Sequence, residues 1–70
     1  MNKALFKYYM HQKGDNAETL AEALNMHVIT LYDKIKGVAP FKSPEMAAIV
    51  KRWNLTGDEI KDIFFNAKSA

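Results

Sequence analysis

The histidines and serines of this 70-residue chain are too scattered to support catalysis or metal binding. His11 and His27 have no second metal ligand at helical spacing, and no histidine or lysine is placed to activate Ser43 or Ser69. The chain has no cysteine, so a thiolate metal site and a disulfide framework are both excluded. We therefore expect no enzymatic activity, no metal, no cofactor and no small-molecule substrate.

A second group of residues offers contact chemistry. Val28 and Ile29 are apolar, Tyr32 has an aromatic ring with a hydroxyl, and Asp33 accepts hydrogen bonds. On a helix, Ile29, Asp33 and Lys36 lie on one face, with Val28 and Tyr32 between that face and the apolar stripe. Such a face suits binding to another macromolecule.

The apolar periodicity predicts an all-α fold of five helices, without strands, that holds these residues in place. Asn16 and Ser43 are expected to cap the second and fourth helices, and Gly37 to end the third. Thr56 and Glu59 have the spacing of a capping box. The predicted helices cover about residues 2–13, 17–24, 28–36, 44–53 and 57–65 of one domain, and residues 66–70 form a frayed tail.

The second and third helices are joined so closely that they must meet at a steep angle. Asn25 tolerates the left-handed conformation that such a turn requires, and Met26 fills the angle. Leu31 and Ile35 direct one face of the third helix toward the core, so the opposite face projects outward. This is the geometry of a helix-turn-helix, whose second helix enters the major groove of DNA.

The motifs "KGDNAETLAEALNMHVITLYDKIKG" and "FKSPEMAAIVKRWNLTGDEIKDIFF" extend this interpretation. Together they resemble the single-domain phage and prophage repressors of the lambda-repressor-like (Cro-type) helix-turn-helix family. The resemblance covers about residues 1–65. It implies a compact five-helix DNA-binding domain without an attached effector domain, which occupies an operator as a small transcriptional regulator. It also implies a homodimer on an inverted repeat, with half-sites about 10 base pairs apart.

The resemblance implies DNA contacts on the third helix, at the start of the second helix and in the loop that follows the third. Base contacts fall on the third helix, where apolar side chains can touch thymine methyls and a carboxylate can accept from a cytosine amino group. The candidates for these are Val28, Ile29, Tyr32 and Asp33. Phosphate contacts need only charge, reach or a free amide, and their candidates are Asn16, Ala17, His27, Thr30, Lys34, Lys36 and Lys42.

Three positions depart from the family's pattern. Asn25 stands where relatives usually have glycine, and His27 replaces a small hydroxyl cap. Ala17 replaces a glutamine that often grips phosphate, which leaves only backbone amides for that contact. Asn25 is tolerable in the turn, and His27 is a weaker cap than a hydroxyl residue. The missing phosphate-gripping side chain at Ala17 weakens the expectation of DNA binding.

Several of the candidate residues have simpler structural roles open to them. Val28 can be half-buried core, Asp33 can pair with Lys36, and Tyr32 can pack on the loop around Phe41. The lysines can be an ordinary solvated face. Phe65 is a dimer-contact candidate because it lies off the apolar stripe of the last helix, although it can instead close over the first.

Composition limits the functional classes further. The net charge of +2 is too small to indicate nucleic-acid binding by itself. No apolar run approaches the length of a membrane span, and no secretory signal is evident, so we expect a cytoplasmic protein. Sequence-specific binding to double-stranded DNA is the leading hypothesis. The alternative is a protein-interaction module that kept the helix-turn-helix scaffold and lost operator reading.

Overall fold

The computed structural model describes residues 1–65, which form five α-helices and no strand. The helices are α1 (Lys3–Gln12), α2 (Ala17–Ala23), α3 (Val28–Lys36), α4 (Ser43–Trp53) and α5 (Gly57–Phe64). The predicted all-α class is confirmed, and the predicted helix ends differ from these by at most one residue. None of the helices in residues 1–65 has the length and apolarity that crossing a membrane requires. The predicted frayed tail, residues 66–70, lies outside the described residues.

Two predicted helix caps are present. The Asn16 side chain accepts the Thr19 amide at 2.9 Å, and the Thr19 hydroxyl accepts the Asn16 amide at 2.9 Å. At α5, the Thr56 hydroxyl accepts the Glu59 amide at 3.2 Å while the Glu59 carboxylate accepts the Thr56 amide at 2.8 Å. Each pair is a reciprocal capping box that satisfies backbone donors at the start of its helix.

The prediction that Ser43 caps α4 is wrong. Ser43 is already helical, and the cap position is occupied by Lys42, whose amide donates to Glu45 Oε1 at 2.8 Å. Pro44 follows in the first turn, where its missing N–H costs nothing. The Glu45 carboxylate therefore replaces the serine hydroxyl, and its negative charge is favourable near the positive end of a helix.

The core is organised around Phe6, which is fully buried. The Phe6 ring stacks on Phe41 with 5.5 Å between centroids, lies 5.1 Å from Trp53 and meets Phe64 edge-on at 6.1 Å. Phe41 therefore packs against the core from the α3–α4 loop. The buried apolar residues are Phe6, Ala17, Leu20, Ala21, Leu31, Ile35, Ile49, Trp53, Leu55 and Ile63.

A polar contact ties the α1–α2 loop to the end of α4. The Asp15 carboxylate accepts two bonds of 2.8 Å from the Arg52 guanidinium and one of 2.7 Å from Trp53 Nε1. The Thr19 hydroxyl donates a fourth bond at 2.9 Å. The Asp15 side chain is only 5% exposed, and the Arg52 hydrogen bonds hold the pKa of its carboxyl well below the ordinary range despite burial. Asp15 is therefore ionised in the folded protein at neutral pH.

This carboxylate makes the stability of the fold sensitive to acid. Because the folded pKa of Asp15 lies below its unfolded value of about 3.9, the unfolded state binds more protons as the pH falls. The contribution of Asp15 is thus fully present well above pH ~4 and is lost as the pH drops toward the folded pKa, by at most about 1.4 kcal/mol per pH unit. Urea unfolding measured between neutral pH and pH ~3 is expected to show this decline.

Two variants assign the decline to this contact. Asp15→Asn removes the titrating group, so the free energy of unfolding should depend less steeply on pH in the acid range. Arg52→Gln keeps the Asp15 carboxyl but removes the hydrogen bonds that most lower the pKa of that group. The pH dependence of the free energy of unfolding of Arg52→Gln should therefore lie between those of Asp15→Asn and the wild type. An unchanged acid slope in Asp15→Asn would contradict the assignment.

Candidate nucleic-acid interface

The turn between α2 and α3 has the conformation that the sequence predicts. Asn25 adopts a left-handed backbone with φ of 56°. The Met26 amide donates to the Ala21 carbonyl at 3.0 Å, and the half-buried Met26 side chain packs against the core. Of all the helix pairs in residues 1–65, α2 and α3 pack together most extensively. The short turn therefore holds α3 firmly against α2.

Helix α3 presents one face to the core and the other to solvent. Leu31 and Ile35 are buried, whereas Ile29 is 71% exposed and Tyr32 is 45% exposed. Lys36 is also exposed. Gly37 ends the helix with a left-handed φ of 90°. The predicted division of α3 into buried and exposed faces is thus confirmed.

The four base-contact candidates differ in exposure. Ile29 and Tyr32 project into solvent, Asp33 is partly exposed, and Val28 is partly buried against the core. The Asp33 carboxylate forms no hydrogen bond and no ion pair within residues 1–65, so the alternative pairing with Lys36 is not formed there. Ile29, Tyr32 and Asp33 therefore remain available for contact, and Val28 is available only in part.

The prediction that Lys34 contacts phosphate needs correction. Lys34 is only 7% exposed, and its Nζ lies 2.6 Å from Glu45 Oε1. The same carboxylate oxygen accepts the Lys42 amide, so a single Glu45 side chain joins α3 to the start of α4. An ammonium that is buried and paired in this way cannot reach a phosphate without breaking the contact. Lys34 is a structural residue in this fold.

Electrostatics support the same assignment. Burial alone would raise the pKa of Glu45, but the hydrogen bonds from Lys34 and from the Lys42 amide outweigh it and lower that pKa. The carboxylate is therefore charged at neutral pH and neutralises Lys34. With Lys34 paired, the charged groups on the exposed face of α3 are Asp33 and Lys36, which balance each other.

The remaining phosphate candidates are placed unequally. His27, Thr30, Lys36 and Lys42 are exposed. The His27 side chain makes no capping bond at the start of α3, which agrees with its expected weakness as a cap. Asn16 uses its side chain to cap α2, and the side chain of Ala17 is buried, so only a backbone amide of Ala17 can contribute.

Phe65 does not close over α1. Its side chain is 64% exposed, and it lines an apolar groove of about 380 Å³. The groove lies between the α3–α4 loop and the end of α5, and its other lining residues include Met1, Pro40, Phe41, Met46 and Phe64. Phe65 therefore remains a prediction for the dimer contact.

Sequence reasoning missed the contacts of Asp15, Lys34 and Glu45. For Lys34 the sequence does contain a signal. On a helical wheel, Lys34 lies about 60° from the buried residue Leu31 on one side, and Val28 lies about 60° from Leu31 on the other side. Both residues are thus at the edges of the buried stripe. Neither the Glu45 partner of Lys34 nor the Arg52 partner of Asp15 leaves a comparable local pattern.

Neither a protein-family model, nor a curated protein, nor a solved structure matches this chain. Within residues 1–65, no group of three or more His, Cys, Asp or Glu side chains is arranged to hold a metal ion. The features of the described residues that bear on function are therefore the geometry of α2 and α3 and the side chains that α3 exposes.

Proposed function

We propose that this protein is a small transcriptional regulator that binds a specific site on double-stranded DNA in the cytoplasm. The observation that carries the proposal is the exposed face of α3, which projects beside a short turn while Leu31 and Ile35 anchor the opposite face. A helix held in this way can enter the major groove, which is about 12 Å wide and admits an α-helix. The resemblance to Cro-type repressors points to the same function.

Some of the proposed contacts position the protein on the DNA backbone, and others read the base sequence. Lys36 and Lys42 are the exposed cations that supply phosphate contacts, which set the register without reading sequence. Ile29, Tyr32 and Asp33 face the base edges. One domain of this size covers a single half-site, so the regulator binds an inverted repeat as a homodimer, with Phe65 as the candidate contact between copies.

The direct test is selection of bound duplexes from a random-sequence pool at low salt. Enrichment of an inverted repeat is the expected result, since it reports both sequence-specific binding and two-fold symmetry. If the folded protein enriches no sequence, the proposal fails.

The two lysines of α3 provide a matched pair of variants. Lys36→Ala should weaken DNA binding and reduce the steepness of the logarithmic salt dependence by about 0.9, the contribution of one neutralised phosphate. Lys34→Met should leave both quantities unchanged, because Lys34 is paired with Glu45 and is buried. Fluorescence anisotropy titrations on the selected duplex at several salt concentrations would measure both. A larger loss in Lys34→Met than in Lys36→Ala would reverse the assignment.

A second candidate function is binding to another protein through the same face. Two observations favour it. The face exposes the apolar Ile29 and the aromatic Tyr32, and it carries no net charge because Lys34 is paired with Glu45. An interaction module of this kind would bind DNA weakly and without sequence preference. The pool selection separates the two functions, because only operator reading produces an enriched sequence.

A further inference from the structure

Helix α3 places an isolated apolar side chain one turn before an unpaired carboxylate. Ile29, the second residue of the helix, is 71% exposed. Asp33 follows four residues later on the same face and has no side-chain partner within residues 1–65. The pair places an apolar group and a hydrogen-bond acceptor at a fixed separation.

Asp33 restricts the base that can lie opposite it. An ionised carboxylate only accepts hydrogen bonds, so it needs a donor on the base edge. In the major groove guanine presents two acceptors and thymine presents one, and both repel a carboxylate. Adenine has an amino donor beside the N7 acceptor, whereas cytosine has its amino donor alone. Cytosine is therefore the best partner for Asp33.

Ile29 restricts its partner in a different way. Its side chain forms no hydrogen bonds, and the apolar group that distinguishes a base pair in the major groove is the C5-methyl group of thymine. Contact with that methyl would bury apolar surface on both sides. A 5-methylcytosine carries a methyl group at the same ring position.

Resting on the proposed function, we infer that Ile29 reads a C5-methyl group and Asp33 reads a cytosine amino group in each half-site. The two residues are separated along the helix by about 6 Å, which corresponds to roughly two base-pair steps of 3.4 Å when α3 lies along the groove. Binding should therefore depend on the methylation state of one pyrimidine as well as on base identity.

The test for Ile29 uses the duplex enriched by selection, with each thymine of a half-site replaced in turn by uracil. At one position the wild type should bind about fourfold more weakly, the effect of losing one buried methyl group. Ile29→Ala should bind the thymine and uracil duplexes equally. Val38→Ala is the matched control, because Val38 is 74% exposed but lies beyond the end of α3, and this variant should discriminate like the wild type.

Cytosine methylation provides a second readout at the same position. That thymine is replaced either by cytosine or by 5-methylcytosine. The wild type should bind the 5-methylcytosine duplex about fourfold more tightly than the cytosine duplex. Ile29→Ala should show no such gain. Because Ile29 is exposed, circular dichroism and the thermal unfolding midpoint should be the same for this variant as for the wild type.

The test for Asp33 is a change of specificity. Asparagine can form a bidentate pair with the N6 and N7 atoms of adenine. At one base position, Asp33→Asn should therefore prefer adenine where the wild type prefers cytosine. The expected change in the ratio of the two affinities is about fivefold or more.

The outcomes distinguish this inference from the function on which it depends. An enriched site bound equally well with thymine and uracil, or discrimination that survives in Ile29→Ala, would overturn the role of Ile29 while operator binding stands. Unchanged base preference in Asp33→Asn would overturn the role of Asp33. Failure to enrich any sequence would overturn both the function and the inference.

Discussion

Asp15→Ala is expected to remove most of the stability of the folded protein. The substitution deletes an acceptor that serves the Arg52 guanidinium, Trp53 Nε1 and the Thr19 hydroxyl. Trp53 is only 1% exposed, so water cannot readily replace the carboxylate, and an unsatisfied buried donor alone costs about 1–3 kcal/mol. With the charged hydrogen bonds added, we expect a loss of about 3 kcal/mol, against the roughly 3–5 kcal/mol that a domain of this size possesses.

Urea unfolding followed by Trp53 fluorescence and by circular dichroism would measure the loss. Asp15→Asn is the matched control, because the asparagine oxygen can still accept from Trp53 Nε1, and it should lose less stability than Asp15→Ala. Trp53→Phe removes that donor and keeps a buried aromatic ring, so Asp15→Ala should cost less in that background when circular dichroism is used as the probe. A change below about 0.5 kcal/mol in Asp15→Ala would show that the contact contributes little.

Glu45→Ala is expected to produce the second large loss. Without the carboxylate, the Lys34 ammonium stays buried without a counter-charge, and the Lys42 amide loses its acceptor at the start of α4. Removing one partner of a buried ion pair typically costs 3–5 kcal/mol, and we expect about 3 kcal/mol because Glu45 is 20% exposed and Lys34 can partly reach water. Equilibrium unfolding in urea at neutral pH would measure this change.

The Lys34→Met variant distinguishes the loss of the ion pair from the cost of leaving a buried ammonium unpaired. Methionine fills the same space without a charge, and such replacements are often nearly neutral, so the variant should lie within about 1 kcal/mol of the wild type. Glu45→Ala combined with Lys34→Met should then be more stable than Glu45→Ala alone, because no unpaired ammonium remains. If the double variant is no more stable than Glu45→Ala, the loss comes from the helix cap and not from Lys34.

The features that the sequence predicts well are local. Asn16 and Thr56 lie three residues from the partners that complete their capping boxes, so the pattern can be read directly from the chain. Apolar residues repeat at helical spacing within each helix, and Asn25 marks the left-handed turn between α2 and α3. The helices and the exposed face of α3 follow from these signals.

The features that the sequence does not predict are polar contacts between distant segments. Asp15 lies 37 residues before Arg52, and Lys34 lies 11 residues before Glu45 in another helix. No periodicity relates such partners, since their meeting depends on how the helices pack. The charge of Lys34 therefore predicts a place in the DNA interface, and nothing in the sequence near Asp15 indicates its buried partners. Charge alone cannot show whether a side chain meets solvent or a buried partner.

The dependence of the amino-terminal helices on α4 has a consequence for synthesis on the ribosome. Arg52 and Trp53, which hold Asp15, are the last charged and aromatic groups of α4, and Glu45 of the same helix holds Lys34. A nascent chain that ends at Gly37 contains α2, α3 and their turn but none of these partners. At elongation rates of about 5–20 residues per second, the ribosome needs roughly one to three seconds to add the segment through Trp53. During that interval α3 is already synthesised, but Lys34 has no Glu45 carboxylate to pair with and Asp15 has no Arg52 or Trp53 donor.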